Sequence, residues 1–252
     1  MVRSTSAKSV GEFVLMEELT RDEFATLVKR KPLAIVPVGS VEEHGSHLPL
    51  CTDSYQAEEI ACRIARKFNA IVCPPIRYGE CRTTRNFSGT ISLSFETVQG
   101  IAFDIVSELG RNGLDKVLVL TGHAGSGHMA ALRLGVQRAV EKNPRLKVMV
   151  LSDYDIAYER LGKEFSKKDG HGGDLETSRI LSIRPELVGK SRPKGSSRPP
   201  DFMILPDPEK YFPEGIYGNT SRASAKKGKR ADDYIVRRLC EIISRNFGIK
   251  RV

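Results

Sequence analysis

The amino-acid sequence predicts an α/β fold in which helices cover both faces of a mostly parallel sheet. Short apolar runs suited to buried strands alternate with longer segments whose apolar residues recur at helical spacing. Glycine-containing turns follow two of these runs, at residues 39–40 and 122–127. Alternation of strands and helices favours parallel pairing, because each helix carries the chain back to the edge where it started. The 252 residues fit one domain, spanning residues 1–252, with a full core.

The elements can be assigned in order along the chain. Residues 1–19 show no clear pattern and are interpreted as an N-terminal extension, after which Thr20 and Glu23 form a capping box for a helix that ends near Arg30. Strands are expected at residues 33–38, 70–73, 116–121 and 147–152. Further helices are expected at residues 54–68, 95–109, about 129–140, 174–183 and 223–247. Residues 191–220 are rich in proline, glycine and serine, which indicates a long irregular loop.

Composition and charge argue against several functional classes. No apolar run approaches the roughly 20 residues of a membrane span, and the first residues lack the apolar segment of a signal peptide. The five cysteines are odd in number and include no Cys-x-x-Cys pair, which favours reduced thiols and a cytoplasmic location. The net charge of +9 is spread along the chain without a nucleic-acid-binding motif. Neither nucleic acid nor a membrane is therefore expected as a partner.

Three clusters of histidine and carboxylate residues form the candidate functional site. They contain Glu42, His44 and Asp53 in the first loop, His123 in the glycine-rich turn, and His171 with Glu176 further along the chain. Imidazole and carboxylate groups together suit zinc, iron or manganese. Glu42 and His44 are two residues apart, so in an extended segment both can reach one metal centre. Because ligands bind beyond the carboxyl ends of parallel strands, the loops after residues 38 and 121 are expected to share one rim.

Some neighbouring residues have a simpler structural interpretation. A single histidine is more often a surface or core residue than a ligand, and this applies to His47 and His128. Glu43 is interpreted as a supporting neighbour, Asp174 as a helix N-cap and Cys51 as a small packing residue. The glycine-rich turn could cradle a nucleotide, but neither G-x-G-x-x-G nor G-x-x-x-x-G-K-[ST] occurs.

Several segments, in the same order along the chain, resemble the creatininase (creatinine amidohydrolase) family. They are PVGSVEEHGSHLP followed by TD at residues 37–53, FSGTISL at 87–93, TGHAGS at 121–126, HGGDLETS at 171–178, GIYG at 215–218 and ASAKKG at 223–228. The resemblance covers about residues 20–245. It implies a three-layer α/β/α fold, a homo-oligomer that is often a hexamer, and a metal-dependent amidohydrolase.

The resemblance also assigns residues to roles. It implies two divalent metal ions (zinc, manganese or iron) held by Glu42, His44, Asp53, His123 and Glu176, with Asp53 bridging them. A metal-activated water would attack a non-peptide amide or formamide C–N bond of a small molecule. His171 would be the proton shuttle, and Glu176 would also take part in catalysis. The expected substrate-binding residues are Arg85, Thr90 and Gly125.

The sequence also departs from the family in ways that bear on the substrate. Creatininase has a glutamate two residues after the turn histidine, where this chain has Gly125, so the second metal position depends on Glu176. Creatininase surrounds its substrate with tryptophans, whereas this chain has none, which argues against creatinine. Arg77, Arg82 and Arg85 could bind the phosphate of a formylamino-pyrimidine nucleotide in a deformylase of riboflavin or deazaflavin synthesis, or could be surface residues. The sequence is also compatible with a relative that opens a cyclic ketone, with a peptide-trimming relative, and with a non-catalytic metal- or ligand-binding protein.

Overall fold

The computed structural model describes residues 13–196 and 200–252. Its central sheet has five parallel strands. In spatial order these are β1 (Val14–Leu15), β3 (Ile71–Val72), β2 (Leu33–Val38), β4 (Lys116–Thr121) and β5 (Lys147–Ser152). The prediction of a mostly parallel central sheet is confirmed.

Helices cover both faces of this sheet. They are α1 (Arg21–Val28), α2 (Thr52–Phe68), α3 (Phe95–Arg111), α4 (Ser126–Lys142), α5 (Tyr154–Ala157), α6 (Asp174–Ile183) and α7 (Ala225–Phe247). Along the strands, Ile35 and Leu118 face a core shared with α2, α5 and α7, whereas Val36 and Val119 face a core shared with α3 and α4. Successive strand residues point to opposite faces, which is why each strand contributes to both cores. The result is the expected three-layer α/β/α fold.

The ends of the elements follow local chemistry. The capping box of Thr20 and Glu23 is present at the start of α1, which ends at Val28 rather than near Arg30. Helix α2 begins at Thr52, two residues earlier than predicted, and this places Asp53 in its first turn. Asp174 is not the N-cap of α6, because Gly173 occupies that position. Instead, the Asp169 carboxylate accepts the backbone N–H groups of residues 174 and 175, both at 2.8 Å.

Two segments contain more structure than the sequence indicates. Within the predicted N-terminal extension, Val14–Leu15 pair with β3 in parallel register, whereas residues 1–12 lie outside the described part of the chain. Within the loop at residues 191–220, β6 (Lys194–Gly195) and β7 (Gly218–Asn219) form a small antiparallel pair. Two-residue strands are too short to produce a recognisable alternation, and tertiary contacts decide them.

Three long strands end at the same level. Val38 of β2 pairs with Thr121 of β4, which pairs with Ser152 of β5. The loops that follow these strands therefore meet at one rim, as expected for ligand sites of parallel sheets. Among the described residues, no helix is long and apolar enough to span a bilayer.

Candidate metal centre

The first turn of α2 is pressed against the ends of β2 and β4. A Cβ atom on Gly122 would overlap with the carbonyl oxygen of Asp53, so only glycine permits this approach. The Ser40 hydroxyl, at the end of β2, donates a 2.6 Å hydrogen bond to Oδ2 of Asp53. These contacts fix the Asp53 carboxylate at the centre of the rim.

Possible metal ligands face both oxygens of the Asp53 carboxylate. On one side, Nε2 of His44 lies 3.1 Å from Oδ1 of Asp53 and 3.6 Å from Oε2 of Glu176. On the other side, Nδ1 of His123 lies 3.0 Å from Oδ2 of Asp53 and 2.9 Å from Oε2 of Glu42. All five residues are buried, with at most 7% exposure. Ligand atoms of one tetrahedral zinc ion lie about 3.4 Å apart, so these separations suit two neighbouring ions with Asp53 between them.

The backbone sets the orientation of both histidines. Nδ1 of His44 lies 3.0 Å from the carbonyl oxygen of Glu42, and Nε2 of His123 lies 2.9 Å from that of Glu80. A carbonyl oxygen can only accept, so these two nitrogens carry protons and donate them. The opposite nitrogens face the carboxylates. Histidines that bind metals are held in this way, with the second ring N–H on a carbonyl or carboxylate.

The buried carboxylates of the centre favour positive charge on the groups beside them. Burial lowers the pKa of His44, but the carboxylates of Asp53 and Glu176 outweigh it and raise that pKa to about 10. Burial raises the pKa of Glu42, but His123 and His171 outweigh it and lower that pKa to about 2. Oε2 of Glu42 is buried without a properly directed hydrogen bond. Burying charges is costly unless they are paired or bind metal, so this donor set fits divalent ions.

His171 lies beside the two ligand groups. Its ring centroid is 4.3 Å from that of His44. Its Nε2–H donates a 2.7 Å hydrogen bond to the carbonyl oxygen of Glu43. The next residue, Gly172, adopts a positive φ of 63° and donates its N–H to Oε2 of Glu176 at 2.6 Å. The third cluster thus reaches the rim and orients Glu176 toward His44.

A cavity of about 830 Å³ opens beside this centre. Of the sequence-predicted residues, its wall includes Glu42, Asp53, His123, Gly125, His171 and Glu176. Arg85 and Thr90 are not among the described residues that line it, and their role in substrate binding stays a prediction. The Thr90 hydroxyl accepts the backbone N–H of Glu43 at 3.0 Å. Arg77 forms a two-point ion pair with Glu58 at 2.9 and 3.1 Å, which agrees with its interpretation as a surface residue.

The segment after β3 adds residues that the sequence reasoning missed. The Thr84 hydroxyl donates to Oε1 of Glu42. The sulfur of Cys81, an oxygen of Glu42 and a ring nitrogen of His123 lie within 4.8 Å of one another. Burial raises the pKa of the Cys81 thiol to about 11. This segment also follows the carboxyl end of a parallel strand, which is a signal for the segment as a whole but not for Cys81 or Thr84 individually.

The remaining two histidines are hydrogen-bonded to neighbouring groups and do not belong to the candidate ligand set. Nδ1 of His128 accepts the backbone N–H of Glu80 at 3.3 Å, so its Nε2 carries the proton and faces the Thr121 hydroxyl at 3.2 Å. Nε2 of His47 lies 2.7 Å from the Thr177 hydroxyl. Burial lowers the pKa of His128 to about 3 and that of His47 to about 4. Both rings are neutral packing elements, in agreement with their structural interpretation.

Comparison with known proteins gives three informative relatives. A mycofactocin precursor peptide peptidase of Mycobacterium ulcerans is 28% identical over 86% of each chain. A creatinine amidohydrolase of Pseudomonas putida is 27% identical over 94% of this chain and 99% of its own. A 3-dehydro-scyllo-inosose hydrolase of Thermotoga maritima is 23% identical over 92% and 84%.

Solved structures and a family model complete the comparison. A manganese form of creatininase has a TM-score of 0.86 at 26% identity, covering 94% of this chain and 99% of that one. A zinc–zinc form of a creatininase mutant has a TM-score of 0.85 at the same identity and coverage. The family model for creatininase, described as creatinine amidohydrolase, matches residues 17–243. The protein therefore belongs to the creatininase family and is, as the sequence predicts, a hydrolase of carbon–nitrogen bonds.

Proposed function

We propose that the protein is a metal-dependent amidohydrolase that cleaves a non-peptide amide or formamide bond of a small anionic molecule. The observation that carries this proposal is the position of Asp53 between His44 and His123, with Glu176 and Glu42 completing the two groups. Two divalent ions held there would activate water and polarise the substrate carbonyl. The zinc and manganese forms of creatininase support this choice of metals.

His171 is placed to move the proton that such a cleavage requires. Its Nε2–H is held by the carbonyl of Glu43, and its ring lies on the cavity wall. Nδ1 is therefore the atom that can take a proton and pass it to the leaving nitrogen. The Glu43 carboxylate, 3.3 Å from Nε2, stabilises the ring when it becomes positively charged.

The cavity wall supports an anionic substrate that is larger than creatinine. Arg82 and Lys167 line the cavity, and within the described residues neither has a carboxylate within ion-pair distance. Tyr158 and Phe212 offer apolar surface on the same wall. A carboxylate or phosphate would bind the two cations, while a ring would pack on the aromatic side chains. A formylamino-pyrimidine nucleotide carries both features, which makes its deformylation the second candidate.

A substrate panel tests this proposal. Protein loaded with zinc or manganese would be assayed against creatinine, formamides with and without a phosphate, and short peptides. We expect turnover of an anionic amide or formamide that a chelator abolishes and added metal restores. Full activity after complete removal of metal would contradict the proposal. Thermal stabilisation by these compounds without any turnover would instead indicate a binding protein.

Two variants test the substrate class. Replacing Arg82 and Lys167 by alanine should raise KM for the anionic substrate at least about tenfold while kcat changes little. The two cations bind the anionic group equally well in the bound substrate and in the transition state, so their loss weakens binding without slowing the chemical step. The matched control is Arg133→Ala on the exposed face of α4, since Arg133 is not among the described residues of the wall. A KM that rises for Arg133→Ala alone would contradict the assignment to Arg82 and Lys167.

We also propose that the chain forms a homo-oligomer. Phe202, Met203 and Ile204 form an apolar strip in which each side chain is at least 60% exposed, and Ile204 borders the cavity. Exposed apolar patches mark contact surfaces, and a second copy would bury this one. Sedimentation velocity should show an oligomer that Ile204→Asp weakens, whereas a monomeric wild type would contradict the proposal.

A further inference from the structure

The surroundings of His123 contain a donor that the expected ligand set does not include. Within the described residues, the compact group of possible ligand atoms around His123 consists of Glu42, Cys81 and His123 itself. All three residues are buried, with 3%, 1% and 7% exposure respectively. The sulfur therefore belongs to the same enclosed space as the carboxylate and the imidazole.

The turn at residues 122–127 supplies no carboxylate, imidazole or thiol besides the ring of His123 itself. Gly125 has no side chain to offer as a ligand, and a Cβ on Gly125 would lie 2.7 Å from Nε2 of His123. At this distance, any residue larger than glycine at position 125 would require the His123 ring to shift. An ion on this side would then have only Glu42, His123 and Asp53 as ligands, one fewer than a closed tetrahedral site has.

A second observation points independently to a cation at this place. Oε1 of Glu42 accepts the Thr84 hydroxyl, whereas Oε2 has no properly directed hydrogen bond although the side chain is only 4% exposed. This oxygen lies 2.9 Å from Nδ1 of His123, the ring nitrogen that also faces Asp53. A buried carboxylate oxygen that accepts no hydrogen bond is costly unless it binds a cation.

We propose that Cys81 binds, as a thiolate, the metal ion that Glu42 and His123 also bind. The proposal rests on the metal centre of the proposed function. On binding, the S–H bond is replaced by a metal–sulfur bond and the proton leaves to solvent, without any redox change. Asp53 lies outside the compact group that contains the sulfur, but its Oδ2 is 3.0 Å from Nδ1 of His123, and as a further ligand it would bring the number of protein ligands of this ion to four. The neighbouring position has only three protein ligands, His44, Asp53 and Glu176. Its fourth coordination place is therefore open for substrate or water.

A thiolate also sets the metal preference of this position. Soft sulfur ligands select zinc or iron, whereas manganese prefers oxygen ligands. Replacing Cys81 by serine should therefore weaken zinc binding at least about tenfold, the lower range for loss of a metal-supporting group. Manganese affinity should change much less. Equal losses for both metals, or no loss for zinc, would overturn the proposal.

X-ray absorption at the zinc edge tests the bond directly on the wild-type protein. We expect a sulfur neighbour at about 2.3 Å. The sulfur signal should be lost in Cys81→Ser and kept in Cys62→Ser, the matched control on α2. Cys81→Ala gives a second variant, and thermal melts check that both fold. If wild-type protein binds two zinc ions that have only nitrogen and oxygen neighbours, the role of Cys81 is overturned but the metal centre of the proposed function is not. If wild-type protein binds no metal, both are overturned.

Discussion

Arg179 links the stability of the fold to the geometry of the metal centre. It lies three residues after Glu176 on α6 and is fully buried. Its Nη2–H donates to Asp153, which follows β5, and its Nε–H donates to Asp232 of α7, both at 2.6 Å. One guanidinium thus holds α6 against two other elements, and with it the turn that carries Glu176.

Replacing Arg179 by methionine would leave two buried carboxylates without a counter-charge. Breaking a buried ion pair in this way costs about 3–5 kcal/mol. For a chain of about this size, each kcal/mol lowers Tm by roughly 2–4 °C, so we expect Tm to fall by about 6–20 °C. Since Glu176 loses its support, the metal affinity should fall as well.

Thermal unfolding followed by circular dichroism, at fixed metal concentration, measures this loss. The control is Arg111→Met, whose partner Glu108 lies on the exposed surface of α3, and Tm should not change measurably. A triple replacement of Arg179, Asp153 and Asp232 by apolar residues should recover much of the loss, because no charge stays unpaired. A Tm of Arg179→Met within about 2 °C of wild type would refute the reasoning.

Two further predictions concern close packing and pH. Gly122→Ala places a Cβ against the Asp53 carbonyl, so metal affinity measured by calorimetry should fall at least about tenfold; the control Gly100→Ala, with nothing within 4 Å of its Cβ, should bind metal normally. For His128, burial lowers the folded-state pKa to about 3 from the ordinary 6.5. The unfolded chain therefore binds the proton first, and stability falls as pH decreases from 6.5 toward 3, by about 1.4 kcal/mol per pH unit. His128→Gln should remove that contribution from urea titrations, and an unchanged slope would argue against a neutral buried ring.

The long elements could be predicted because their patterns are local. The six apolar residues of β2 and the helical spacing of α2 need no tertiary information. The meeting of Asp53 with His123 followed from strand ends that share one rim. The predicted cap of α6 was wrong because Asp169 reaches the helix from five residues upstream, across a loop of glycines that turns back on itself.

The part of the site that was missed depends on tertiary contacts. Cys81 and Thr84 lie in a segment whose position is fixed by His128 of α4 and by an isolated pairing of Gly79 with Ser92. No spacing within the sequence encodes these contacts. Thr90 lies in a family-like segment, and its hydroxyl accepts the N–H of Glu43, a contact that the sequence did not indicate; its predicted role in substrate binding stays a prediction.

The number of metal ions per chain tests the shared role of Asp53 most directly. Asp53 contributes one oxygen to each group, whereas Glu176 contributes to the group of His44 alone. Native mass spectrometry with elemental analysis should find two ions in wild type, one in Glu176→Gln and at most one in Asp53→Asn, where Glu42, Cys81 and His123 are the ligands left intact. Two ions retained by Asp53→Asn, or full amidohydrolase activity of wild type without metal, would contradict the shared metal centre.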